Sequence, residues 1–335
     1  MNSFDFDTLV AGAEALDRGA EIIHGGGLVA FPTETVYGLG ADAFNAEAVE
    51  SIFLAKGRPQ DNPLIVHIPS LDWVGRVAAK VPEAALDLYE AFSPGPLTIV
   101  LPKIDELPLV TTAGLQTVGI RIPNNKIALE LIERAGTPIA APSANRSGRV
   151  SPTRAVDVYE DMKGRIPLIL DGGMTDVGIE STVVSLVGEV PVVLRPGAVT
   201  LEMIASVIGK VVNHRGKVVV AEAPGMKYRH YAPTVPCFGA ATPADAAAFA
   251  ASRTNCIIVG ASDFVVAAKA KGAEAVVDIG DTPEKCMRNA FAALREAEKS
   301  YDCIVIEHFD GREGYFALNN RLSKSYGGQL VPSVS

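Results

Sequence analysis

Two cations, an amide and an imidazole crowd the stretch KGRPQDNPLIVHI (56–68): Lys56, Arg58, Asn62 and His67. Neighbouring lysine and arginine side chains bind anions, and the arginine fork grips a carboxylate or phosphate at two points. The same cations suit the C-terminal end of a helix in any protein, where the macrodipole favours positive charge. His67 falls on an apolar strand, where a single imidazole serves structure as readily as a ligand. FPTETVYGLG (31–40) presents Thr33 and Thr35 ahead of Tyr37 and two glycines. It is either a hydroxyl-rich turn or the floor of a small-ligand pocket to which Gly38 allows close approach. Arg121, within TVGIRIP, sets a guanidinium near the end of an apolar strand, where a ligand or a structural salt bridge must supply its planar anion. APSANRSG (141–148) places Ser143 and Asn145 just past a strand, where open sheets hold ligands, or in an ordinary polar turn. Ser151-Pro152 reads as a helix N-cap followed by proline at the first helical position, and helix N-termini also hold anions. GIESTVV (178–184) and LRPG (194–197) repeat the pattern, with a hydroxyl or Arg195 at a strand end. Lys56, Arg58, Ser143, Asn145 and Arg195 together match the needs of a triphosphate, whereas Arg121 and the threonines match an amino acid.

Other chemistries lack their anchors. Gly25-Gly26-Gly27 precedes a strand and has no following Lys-Ser/Thr, so it reads as a turn and not a phosphate loop. Neither a G-x-G-x-x-G fingerprint nor a G-x-S-x-G elbow occurs, and no arrangement for covalent catalysis is evident. The cysteines, Cys237, Cys256, Cys286 and Cys303, form no C-x-x-C pair, which argues against structural zinc and for reduced, buried thiols.

The elements that must position these residues follow from short apolar runs alternating with amphipathic patterns. Strands are predicted at 28–31, 63–68, 97–101, 117–122, 138–143, 167–171, 181–187 and 192–195. Helices are predicted near 82–92, 125–135, 152–162 and 200–208. A further helix capped by Asn45 ends at Gly57, and Asp7 is read as capping a helix that Gly19 breaks or ends. In a strand from Pro63, Leu64, Val66 and Ile68 share one face, with Ile65 and His67 on the other. Strands outnumber helices, so the expected class is α/β with a twisted, mixed sheet. Prolines bracket 212–235, where aromatic and basic residues interleave. Beyond it, strands at 255–262, 273–280 and 301–309, a long helix over 283–299 and an Ala-rich helix near 243–251 predict a smaller Rossmann-like α/β domain.

With 335 residues, 48% hydrophobic and 21% charged, the chain has the material for two packed domains. No apolar run approaches the ~18 residues of a membrane span, and the acidic N-terminus is unlike a signal peptide. The expected location is the cytoplasm, with no membrane partner. A net charge of −9 argues against a broad nucleic-acid surface. The charge is uneven: residues 1–211 carry 16 basic and 26 acidic side chains, and 212–235 carry 4 and 1.

PTETVYGLG, the Lys-Gly-Arg at 56–58, the Ser-x-Asn at 143–145, GIESTVV and LRPG, in this order, resemble the threonylcarbamoyl-AMP synthase family. APGMKYRHYAP (223–233) and the C-terminal α/β segment resemble its long, two-domain form. The resemblance implies a YrdC-like catalytic domain over 1–211, a linker or lid over 212–235, and a C-terminal domain over 236–335. It implies synthesis of L-threonylcarbamoyl-adenylate from L-threonine, bicarbonate or CO2, and ATP, with release of pyrophosphate. The product would pass to the tRNA threonylcarbamoyl transferase machinery for N6-threonylcarbamoyladenosine in tRNAs that read codons beginning with A, with weak tRNA contact at most. By position, Lys56, Arg58, Asn62, Thr117, Ser143, Asn145, Ser151, Arg195 and Tyr231 would bind ATP, with Lys56 and Arg58 also catalytic. Thr33, Thr35, His67, Arg121, the Ala141 backbone and Ser181 would hold threonine. Magnesium would arrive with ATP, without fixed protein ligands, and no organic cofactor is implied. Two rivals stand beside this reading. An RNA-binding or regulatory module without catalysis is opposed by the acidic first domain. A carbamoyl transferase of the hydrogenase-maturation kind is opposed by the missing zinc-finger cysteines.

Overall fold

A computed structural model describes residues 5–214 and 230–334. By internal contact these form two units. The first takes 5–147, 152–176 and 180–214 of the described residues; the second takes 148–151, 177–179 and 230–334. Most of the proposed linker, 215–229, lies outside the described residues, as does most of the APGMKYRHYAP motif.

In the first unit the early strands and helices are β1 (Leu9–Ala11), α1 (Leu16–His24), β2 (Val29–Phe31), β3 (Gly38–Asp42), α2 (Ala46–Lys56) and β4 (Ile65–His67). There follow α3 (Glu83–Phe92), β5 (Leu97–Pro102), β6 (Thr117–Arg121), α4 (Lys126–Ala135), β7 (Ile139–Ala140), α5 (Ala155–Met162) and β8 (Leu168–Leu170). The unit closes with β9 (Thr182–Ser185), β10 (Val192–Arg195), α6 (Leu201–Ile208) and β11 (Val212–Asn213). The sheet runs β1-β8-β2-β3-β7-β4-β6-β5-β9-β10-β11. Its pairings are mixed: β4 lies parallel to β6 and antiparallel to β7, and β5 lies antiparallel to β6 and parallel to β9.

Both faces are covered, because the strands are apolar on both sides. Leu64, Val66 and Ile68 join a core with Val49 and Ile52 of α2, Leu88 of α3, Val158 of α5 and Ile204 of α6. Val29, Phe31, Ile139, Leu168 and Leu170 face the other way, against Ile23 of α1 and Leu131 and Ile132 of α4. The alternation read from Pro63 therefore holds, and it leaves His67 on the α1/α4 side of the sheet.

Two predicted helix starts are corrected. Asp7 caps no helix: Leu9–Ala11 pairs parallel with Leu168–Leu170, and the helix begins at Leu16 with Gly19 inside it. Gly19 is tolerated there because α1 crosses α4 closely; a Cβ at Gly19 would stand 3.0 Å from the Leu131 side chain. Ser151-Pro152 does not start a helix either. The helix opens at Ala155, where the Asp157 carboxylate accepts from the Thr153 and Arg154 amides. An acidic residue inside the first turn supplies the cap that Ser151 was read to provide.

The second unit alternates β12 (Cys237–Ala240), α7 (Pro243–Ala251), β13 (Cys256–Gly260), α8 (Ser262–Ala270), β14 (Val276–Asp278), α9 (Pro283–Ser300), β15 (Cys303–Glu307) and α10 (Phe316–Ser325). Its sheet is parallel throughout, in the order β12-β15-β13-β14. Thr242 and Thr282 cap α7 and α9, each followed by proline in the first turn. β12 was missed in sequence because CFGA is short and carries a glycine. The four cysteines are free thiols. Among the described residues no helix is long and apolar enough to cross a membrane.

Candidate functional site

Parallel pairing sets His67, the last residue of β4, opposite Arg121, the last of β6, so their side chains share one face of the sheet. Arg121 is 4% exposed. Its Nε donates to Gly95 O at 3.2 Å and its Nη1 to Thr35 Oγ1 at 2.9 Å. Nη2 lies 2.7 Å from Glu34 Oε2, a carboxylate that is 5% exposed. The planar anion that Arg121 demands is therefore present within the Thr-Glu-Thr run itself. Thr33 turns the chain from β2 into β3: its Oγ1 accepts from the amides of Thr35 and Val36 and lies 2.8 Å from Thr35 Oγ1. The threonines thus shape a turn and also line the guanidinium, so neither sequence reading excludes the other.

His67 is buried, with the Phe31 ring edge-on at 6.0 Å. Burial, and then the nearby positive charge of Arg121, push its pKa down to about 3. It is a neutral imidazole at any physiological pH, and its Nδ1 has no hydrogen-bond partner. Ser181 stands at the same end of the sheet. Its hydroxyl meets Thr98 Oγ1 at 2.8 Å and accepts from Arg195 Nη2 at 3.1 Å, while Arg195 Nε donates to Ser181 O. Arg195, placed with the nucleotide residues in sequence, is thereby tied to the serine assigned to threonine.

The opposite end of β4 gathers a second set. Lys56 closes α2, and Gly57 in the left-handed conformation (φ 62°) turns the chain towards Arg58. Lys56 is 2% exposed, and its ammonium donates to the carbonyls of Ser143 and Asn145, each at 2.5 Å. Arg58 Nη2 reaches Asn62 O at 3.4 Å, and the buried Asn62 Oδ1 has no partner. Ala141 N donates to Ile65 O, and Ser143 bridges Gly38, so the 141–145 loop runs back along β4 towards Asn62. Thr117 begins β6 at this end, about 13 Å along the strand from Arg121. The sheet therefore brings His67, Arg121, Ser181 and Arg195 to one end of β4 and β6, and Lys56, Arg58, Asn62, Thr117, Ser143 and Asn145 to the other; the Thr33–Thr35 turn enters beside Ser143 through Gly38 and reaches Arg121 by the Thr35 side chain.

Ser151 and Tyr231 belong to the second unit. Tyr231 is buried with its ring stacked on Phe291 at 5.4 Å. Sequence reasoning overlooked Glu34 and Thr98. Glu34 was findable: the guanidinium of Arg121 called for a carboxylate, and one sat between the two threonines already singled out. Nothing in LTIVL marked Thr98.

A family model described as "Telomere recombination" matches residues 21–197, and one described as "Threonylcarbamoyl-AMP synthase, C-terminal domain" matches 199–327. The chain is 46% identical to the threonylcarbamoyl-AMP synthase of Pyrococcus abyssi, over 93% of this chain and 94% of that protein. It is 42% identical to the protein of that name in Bacillus subtilis, covering 97% and 95%. A crystal structure of P. abyssi Sua5 complexed with L-threonine matches with a TM-score of 0.89 at 43% identity, covering 98% of this chain and 99% of that one.

Proposed function

This chain belongs to the threonylcarbamoyl-AMP synthase family, and from that premise we propose that it joins L-threonine, CO2 or bicarbonate, and ATP into L-threonylcarbamoyl-adenylate, releasing pyrophosphate. The observation that carries the reading is the match, over nearly the whole of both chains, to a structure that holds L-threonine. In this reaction the enzyme is a nucleotidyltransferase, acting in the cytoplasm. Its product feeds the transferase that makes N6-threonylcarbamoyladenosine in tRNAs reading codons that begin with A. The rival reading, an RNA-binding module without catalysis, is not favoured by full-length relatives that carry a synthase name.

Arg121 takes the threonine carboxylate, with Thr33, Thr35, His67, the Ala141 backbone and Ser181 around the rest of the amino acid. A neutral His67 adds hydrogen-bonding capacity without repelling Arg121. The threonine ammonium gives up one proton to solvent, the free amine bonds to the carbon of CO2, and a second proton leaves to solvent, giving a carbamate that keeps one N–H. A carbamate oxygen then bonds to the α-phosphorus of ATP as the bond to pyrophosphate breaks. The nucleotide lies along Asn62, Thr117, Ser143 and Asn145, and magnesium enters as the ATP complex; Ser151 and Tyr231 are assigned to ATP by their sequence position alone. Lys56 and Arg58 stabilise charge on the phosphates, an electrostatic contribution worth on the order of 10²-fold in rate per group; Arg195, assigned with them from sequence, lies at the Ser181 end of the sheet. Because Lys56 already holds two carbonyls, it also fixes the 143–145 loop against which the phosphates would rest. A carbamate reverts in water, so the 212–235 segment is assigned as the lid that excludes solvent.

Pyrophosphate release from ATP and magnesium, with and without L-threonine and bicarbonate and with L-serine as control, tests the reading. Release that needs both threonine and bicarbonate is expected. Release indifferent to threonine overturns the amino-acid pocket, and no release at all returns the binding-module reading.

A further inference from the structure

The Glu34–Arg121 pair is not fully used by the fold. Arg121 has five N–H donors; Gly95 O and Thr35 Oγ1 take two of them. Glu34 stands at ion-pair distance from Nη2, yet neither of its oxygens accepts a hydrogen bond. Buried carboxylates ordinarily fill their acceptor sites, because an unfilled one keeps its desolvation cost without return. Arginine–carboxylate pairs frequently close as a bidentate fork, with two parallel N–H···O bonds. Here one oxygen makes a single ionic contact and the other makes none, in a residue that is 5% exposed.

We propose that Glu34 is the specificity-determining receptor for the α-ammonium of the amino-acid substrate, while Arg121 takes its carboxylate; this rests on the reading above that the site binds threonine. The electrostatics favour a zwitterion. Arg121 and Glu34 already neutralise each other, so a carboxylate alone would leave one net negative charge in a buried site, and an amine alone one net positive charge. Either is costly away from water. A free α-amino acid brings both charges and completes an alternating set of four without net charge. Among the described residues Glu34 is the carboxylate paired with Arg121, and the facing His67 is held neutral and cannot substitute as a counter-charge. Glu34 thereby selects a free amino acid over a hydroxy acid at the binding step, before the amine is carboxylated.

Calorimetric titration of the full chain with L-threonine and with 3-hydroxybutanoate, the same acid without its amine, tests this. The wild-type chain is expected to prefer threonine by on the order of 10- to 100-fold, the range a charge-assisted hydrogen bond supplies. In Glu34→Gln, which keeps the shape and loses the charge, the preference should collapse through weakened threonine binding. Wild-type affinity for 3-hydroxybutanoate equal to that for threonine overturns the proposal, and that comparison needs no variant to fold. Threonine binding to Glu34→Gln that is unchanged or tighter also overturns it, because Glu34 would then be only a structural counter-ion or a competitor for Arg121. Either result with threonine-dependent pyrophosphate release intact leaves the synthase reading standing. Loss of both threonine binding and threonine-dependent release in the wild type overturns that reading and this inference together.

Discussion

His67 and Arg121 make opposite demands on the same patch of sheet. Glu34 lies 2.7 Å from the Arg121 guanidinium, whereas His67, just across the strand pair, gives its charge up to burial and to Arg121. The depressed pKa makes acid stability the sensitive readout. In the unfolded chain His67 titrates near 6.5 and in the folded chain near 3, so the unfolded state binds the extra proton between those values. Its contribution to stability is fully present above about pH 6.5 and is lost as pH falls towards 3. Chemical denaturation of the wild type between pH 6.5 and 5 should lose about 1 kcal/mol per pH unit more than His67→Gln, the slope steepening towards about 1.4 at the acid end. Identical slopes would mean that His67 is solvated. These two residues were legible in sequence as residues, since a guanidinium and an imidazole on apolar strands stand out. Their neutral and charged states were not, because burial and a neighbour across the sheet set them.

Glycine decides the geometry of the β2–β3 hairpin and of the turn after α2. A Cβ on Gly40 would lie 2.7 Å from Ile139 Cγ2 and 2.8 Å from Phe31 Cε1, closer than packed carbons tolerate. Those neighbours belong to β7 and β2, which flank β3, and β7 leads into Ala141 and Ser143. Gly40→Val should therefore destabilise the chain by roughly 1–3 kcal/mol in denaturant melts and, by displacing the 141–145 loop, weaken the nucleotide binding proposed for it. An unperturbed melt would mean that β3 is free to shift. The Asn45 cap and the Gly57 stop were read correctly from sequence because both act within a few residues. β3 itself was not read as a strand: its small residues lack the β-branched signature, and only pairing with β2 and β7 makes them one.

On the scale of the molecule, the break in contacts does not follow a single cut in the chain. Residues 148–151 and 177–179 group with the C-terminal unit although they are flanked by residues of the first. Within that second unit the Arg295 guanidinium donates to Val150 O, and Glu298 accepts from the Thr234 amide and from Arg149. α9 thus holds a loop from far up the chain together with the residues that follow the linker. A chain ending at residue 214 keeps β11, the last strand of the large sheet. It should fold, with circular dichroism and a cooperative melt, and yet release no pyrophosphate, because it lacks the assigned lid and the anchors of the Ser151 loop. Full turnover by the truncated chain would sink the lid assignment.

Local chemistry carried much of this protein in its sequence. The strand alternation around His67, the caps at Asn45 and Gly57, the mixed α/β class and the ordered motifs each depend on residues a few positions apart, where backbone sterics and side-chain reach operate. What tertiary structure alone decided depends on residues far apart in the chain: Glu34 against Arg121, Ser181 between Thr98 and Arg195, and Lys56 on the carbonyls of Ser143 and Asn145. Those contacts follow from strand order and register, and the many sheet orders open to one set of strands differ in energy only once the whole core is packed.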